Sequence, residues 1–183
     1  MANINLTNAP FIDKQFIVTT AFSVSHKGLD LAPYGYAGNL YAIDHFKLLY
    51  KNYDNSYGNY AIFSNENGTL YLYAHMMSLP TKSINQVYNL GEYIAPSGTT
   101  GNSTGVHLHL EMQHGTSWTY RAPFSTYINP CDYLTGIINV ASSSNVYYYD
   151  GTPTPTPTPV ITTNSKHFKW SLFSKRNKII SRK

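Results

Sequence analysis

Residues 107–111, His-Leu-His-Leu-Glu, alternate polar and apolar side chains. A period of two is that of a half-buried strand, so Leu108 and Leu110 face a core while His107, His109 and Glu111 share the other face. Two imidazoles on one face, roughly 7 Å apart along the chain by strand geometry, suit one metal site in which one ring binds the ion and the other works on a water. Two half-exposed strand histidines would leave the same pattern, because His is tolerated at intermediate burial. The weight comes from upstream, where a loop rich in glycine and hydroxyl groups, Gly98–Gly105, runs directly into the strand.

The composition agrees with a sheet. Seventeen tyrosines and 15% aromatic residues against 12% charged residues favour pleated, half-buried surfaces, hence an all-β body. A hydrophobic share of 42% over 183 residues builds one domain core and leaves an appendage. The net charge of +4 is misleading: seven of the 13 basic residues and none of the nine acidic ones lie in 151–183, so the preceding body has six bases against nine acids, a net of −3. That body has no basic signature of nucleic-acid binding. Cys131 is the only cysteine, which excludes an intrachain disulfide and thiolate zinc knuckles. No basic segment followed by a long apolar run leads the chain, and no stretch has membrane-spanning length. The expected location is therefore a phage virion, or the host cytoplasm until release.

Taken in order, residues 1–15 read as an N-terminal arm with an edge strand, and Phe16–Phe22 as a strand by β-branched and aromatic content. It leads to His26 and Asp30, four apart, where Gly28 and Pro33 favour a tight turn over a helix. Imidazole and carboxylate are a normal pair of zinc ligands, and equally a turn hydrogen bond. Asn65-Glu66-Asn67-Gly68 joins strands 58–63 and 69–76 as a hairpin and sets His75 at a strand end. His45 reads as structural and His114 as exposed in a turn. Residues 138–165 read as a linker whose Thr-Pro repeat makes a stiff spacer of roughly 25 Å, at about 3.1 Å per residue. The tail, 166–183, mixes Lys and Arg with Phe168, Trp170, Leu172 and Ile179; it reads either as an attachment to anionic membrane or wall polymer or as a disordered basic tail.

Five residues, His26, Asp30, His75, His107 and His109, thus stand at turns or strand ends in a body with few charges. In this order, joined to Gly-Asn-Ser-Thr-Gly ahead of His-x-His, they resemble the lysostaphin-like (LytM-like) zinc metallopeptidases, endopeptidases of bacterial peptidoglycan stems and cross-bridges. The matching pieces are His26-x-Gly28-x-Asp30, Tyr57-Gly58-Asn59-Tyr60, Leu72-Tyr73-Ala74-His75-Met76, the run from Gly98 to Glu111, and Asn129-Pro130; they cover about residues 17–135.

The resemblance implies that His26, Asp30 and His109 hold Zn2+, and that His75 and His107 act on the water or on the developing oxyanion. Three protein ligands leave one position for a water whose pKa falls to about 7. No His-Glu-x-x-His is present to supply a Glu base. Glu111 reads as a strand-face carboxylate, with a role in orienting a ligand imidazole as the alternative. The Gly98–Gly105 loop would let a substrate backbone approach closely. The chain departs from the family where Phe22-Ser23-Val24-Ser25 leads straight to His26, which shortens one wall of the groove, and where Ser64-Asn65 replaces a His-Gly pair.

The expected architecture is a compact antiparallel β fold with a central groove over residues 16–137, followed by the linker and the basic tail. The expected activity is zinc-dependent cleavage of peptidoglycan peptides by a phage lysin or virion-associated protein. The alternatives are an inactive wall-binding or regulatory module, or a tail-anchored phage structural component. Oligomeric state is not encoded in any motif.

Overall fold

Twelve strands form where β-branched and aromatic residues run between turn residues: β1 (Ala2–Leu6), β2 (Phe16–Thr20), β3 (Leu29–Pro33), β4 (Asn39–Tyr41), β5 (Phe46–Asp54), β6 (Gly58–Ser64), β7 (Thr69–Met76), β8 (Val87–Tyr88), β9 (Tyr93–Pro96), β10 (Leu108–His114), β11 (Tyr127–Ile128) and β12 (Ser142–Tyr149). The computed structural model describes residues 2–6, 9–11, 15–35, 37–134 and 136–149. The tail, 166–183, and the Thr-Pro repeat lie outside the described residues.

Ten strands make one sheet in the order β1-β12-β2-β3-β10-β7-β6-β5-β8, with β11 pairing to β10; β4 and β9 pair separately. Every pair is antiparallel except β1 with β12, which is parallel. The expected antiparallel all-β body is therefore present, and the N-terminal strand lies at an edge. Inside 138–165, where the sequence suggests only a linker, Ser142–Tyr149 instead extends the sheet against β2. Three serines at its start hide the strand in the sequence, yet Val146 and Tyr147 are buried, and Tyr147 stacks on Phe16 with ring centroids 5.6 Å apart.

The two faces of the sheet differ. Leu29 and Leu31 of β3, Leu108, Leu110 and Met112 of β10, and Tyr71 and Tyr73 of β7 point into the main core, which Leu40, Ile94 and Ala95 of the small β4–β9 sheet also join. The alternate residues Asp30, His109, Glu111, Leu72 and Ala74 occupy the opposite face, where Leu72 and Ala74 form a second cluster with Tyr60 and Ile62. The candidate site lies on this second face.

Tyr147→Ala is expected to lower the unfolding free energy by about 3–5 kcal/mol, the usual cost of emptying a buried aromatic position. Tyr147→Phe, which gives up only the hydroxyl that accepts the Ile138 N–H at 3.1 Å, should cost about 1–3 kcal/mol. Urea unfolding checks both; equal costs would mean that the ring itself contributes nothing.

Candidate metal centre

The site is built from three adjacent strands and their ends. Register places His109 of β10 opposite Asp30 of β3 on one side and opposite Ala74 of β7 on the other. His26 comes from the turn between β2 and β3, which is closed by Ser23 and His26 exchanging backbone hydrogen bonds of 2.7 and 3.2 Å and by the Ser23 hydroxyl accepting the His26 N–H. Gly28 is needed beneath the His109 ring, because a Cβ there would lie 2.5 Å from His109 Cε1.

His26, Asp30 and His109 each present one ligand atom, all within 4.8 Å of one another. His26 Nδ1 faces the Ala21 carbonyl at 3.3 Å, and its Nε2 lies 3.2 Å from Asp30 Oδ2. His109 Nδ1 lies 2.7 Å from Asp30 Oδ1, while its Nε2 lies 2.9 Å from Glu111 Oε1. With Nε2–H donated to Glu111, the Nδ1 lone pair turns toward Asp30 and His26. Two imidazoles and one carboxylate are the ligand chemistry of zinc, and too poor in oxygen for calcium or magnesium.

Burial alone would push the His109 pKa down, but the Asp30 and Glu111 carboxylates raise it to about 9 in the metal-free protein. Burial likewise pushes Asp30 up, and hydrogen bonds from His109 and His26 outweigh it, holding the carboxyl well below the usual range. A cation bound here would take the place of the proton on His109.

His75 and His107 stand beside this triad. Their ring centroids are 4.7 Å apart, and His75 is 5.8 Å from His109. Each donates Nδ1–H to a backbone carbonyl at 2.8 Å, His75 to Thr100 and His107 to Gly105, which leaves both Nε2 atoms free to accept. His107 Nε2 lies 3.8 Å from Asp30 Oδ1. Burial lowers the His75 pKa to about 4, with the Thr100 carbonyl opposing, so this ring is neutral at pH 7.

Strand alternation would send His75 into the core alongside Tyr73. Instead β7 bulges: Asn59 pairs with Met76 and Ala61 with Tyr73, so Ala74 and His75 together oppose Tyr60, and His75 takes a φ of 61°. The bulge turns the imidazole onto the site face, at the cost of left-handed backbone in a non-glycine residue.

All five residues singled out in the sequence thus meet, whereas His45 and His114 are exposed and distant in register. Two readings change. Glu111 is a buried carboxylate that holds His109 and accepts the Tyr57 hydroxyl at 3.0 Å. Tyr57 was visible only as part of Tyr-Gly-Asn-Tyr. Two of the three glycines in the Gly98–Gly105 loop pack against the protein itself, while Gly105 faces open space: a Cβ on Gly98 would meet Met77 N at 2.5 Å, and one on Gly101 would meet Gly58 N at 2.2 Å. That packing sets the Thr100 carbonyl against His75.

The family model described as Peptidase family M23 matches residues 24–122, more than half of the chain. Among solved structures, a zinc-containing peptidase from Vibrio cholerae is 24% identical with a TM-score of 0.52, over 60% of this chain and 37% of that one. The chain therefore spans little more than a third of that protein's length. Lysostaphin from Staphylococcus simulans is 22% identical, TM-score 0.56, over 85% of this chain and 60% of its own. The SpoIIQ–SpoIIIAH pore forming complex contains a chain 17% identical, TM-score 0.56, over 72% and 91%. At these identities the likeness establishes the fold.

Glu111→Ala should leave the sheet folded by circular dichroism and weaken zinc binding about 10–100-fold, the usual loss when a ligand imidazole loses its partner. Gly28→Ala should weaken it too, by displacing the same ring. Titration calorimetry with zinc checks both; two variants binding like the unmodified protein would place the ion elsewhere.

Proposed function

Because the chain belongs to peptidase family M23, we propose that it is a zinc-dependent endopeptidase hydrolysing peptide bonds in the stems or cross-bridges of bacterial peptidoglycan. The observation that carries this reading is the convergence of His26, Asp30 and His109 within 4.8 Å, beside two histidines held through Nδ1 by backbone carbonyls. A zinc ion bound by these three residues supplies Lewis-acid polarisation of a carbonyl and acidification of a water. The remaining steps belong to the chain. One of His75 and His107 takes a proton through Nε2 and returns it to the leaving amine, and the other donates to the oxyanion that develops on the scissile carbonyl. The backbone carbonyls of Thr100 and Gly105 hold both rings through Nδ1–H, the tautomer that the base requires, and the ring that donates to the oxyanion does so as an imidazolium with a second proton on Nε2. Glu111, fixed in turn by Tyr57, keeps His109 in register with the other ligands.

A second reading has one observation in its favour. The same fold occurs in a complex described as pore forming, so the sheet can serve as a binding module, here one for wall polymer. Metal content and wall digestion separate the two.

His109→Ala is expected to abolish both zinc content and digestion of purified walls. His107→Ala should keep the zinc and lower kcat at least about 100-fold. Elemental analysis and mass spectrometry of newly exposed amino termini provide the readouts; equal zinc loss in the two variants would overturn this division of roles, and digestion that survives a chelator would overturn the metallopeptidase itself.

A further inference from the structure

Next to the metal centre, on the same face of the sheet, lies an open pocket of about 580 Å3 that includes Tyr50, Asp54, Tyr60, Trp118 and Tyr120 in its wall. Ring contacts connect it to the site: His109 to Tyr57 at 6.0 Å between centroids, then Tyr57 to Tyr60 at 5.5 Å. The pocket therefore begins within about 12 Å of the metal ligands, three to four residues of extended chain at about 3.3 Å each.

Its wall is unusual in what it combines. Tyr50 and Tyr60 lie 6.0 Å apart at 47°, Tyr60 and Tyr120 6.4 Å apart at 88°, and the last two join hydroxyls at 3.0 Å. Tyr50 and Tyr120 remain 40% and 47% exposed, so their rings are not consumed by the core. Asp54 is the one charged residue of the wall. Its Oδ1 accepts the Ser56 and Tyr57 N–H groups at 2.8 and 2.6 Å, and among the described residues it forms no ion pair. Aromatic faces around an uncompensated carboxylate favour a cation.

Resting on the endopeptidase reading, we propose that this pocket is a specificity subsite for a primary ammonium group of the substrate peptide, three to four residues from the scissile bond. Tyr50 and Tyr120 provide the exposed aromatic surface, the buried Tyr60 the floor between them, and Asp54 the countercharge. The body's net charge of −3 acts in the same sense.

The test compares walls whose free amines are intact with walls whose amines have been acetylated, using the full-length zinc-loaded protein. Acetylation is expected to raise KM about tenfold with kcat unchanged. Asp54→Asn keeps an acceptor oxygen, now that of an amide, to cap the turn; it should raise KM on intact walls by a similar factor and erase the difference between the two substrates. Tyr120→Leu should do the same. Digestion indifferent to acetylation and to both substitutions would overturn the subsite while leaving the endopeptidase standing, as would competition by N-acetylglucosamine oligomers alone. If no wall is digested, co-sedimentation decides separately: binding that falls on acetylation in the unmodified protein but not in Asp54→Asn supports the subsite although the enzyme reading has failed, and binding that ignores acetylation overturns it.

Discussion

The pairing of β10 between β3 and β7 is the constraint on which the site depends. It sets His109 opposite Asp30 at one edge and opposite Ala74 at the other, with Leu108 and Leu110 buried beneath. A slip of one residue would turn both leucines to the groove and both imidazoles into the core. Burial of the leucines, at about 1.5–3 kcal/mol each, therefore holds the geometry of the candidate site as well as the fold. Ala74, opposite His109 in the register, belongs to the apolar cluster against which Tyr57 packs.

Much of this is legible in the sequence because it is local. Period-two alternation gives the face of His109, and the Asn-Gly hairpin gives the pairing of β6 with β7. The turn residues around His26 give an element that folds back on itself. What escapes is whatever depends on a partner distant in the chain. Glu111 looks like one more polar strand residue until Tyr57, 54 positions away, donates to it. The loop glycines suggest room for substrate, whereas only Gly105 faces open space and Gly101 packs on the Gly58 backbone. β12 is hard to see because it opens on serines that carry no strand signal; its pairing with β2 on one side and β1 on the other makes it a strand.

His75 shows how a rule of local structure is broken for the site. From Tyr71 to Ala74, β7 obeys alternation, and continuing it would bury this imidazole beside Tyr73. The extra residue in the strand costs left-handed backbone, of the order of 1–3 kcal/mol, and is compensated by the Thr100 carbonyl that receives Nδ1–H. That carbonyl is itself positioned by the tight packing of Gly98 against Met77 and of Gly101 against Gly58. The glycine loop and the bulge are therefore one device: the loop fixes an acceptor, and the bulge delivers a ring to it.

Charge explains why these groups tolerate one another. Two carboxylates, Asp30 and Glu111, flank one buried ring, and one oxygen of Glu111 is buried with no partner among the described residues. A divalent cation bound to neutral His109 offsets both carboxylates. This excess of acid favours a divalent occupant, and its distribution favours the position: Asp30 stands where the ion would bind, and Glu111 stands behind the ring, where it accepts Nε2–H and strengthens Nδ1 as a donor.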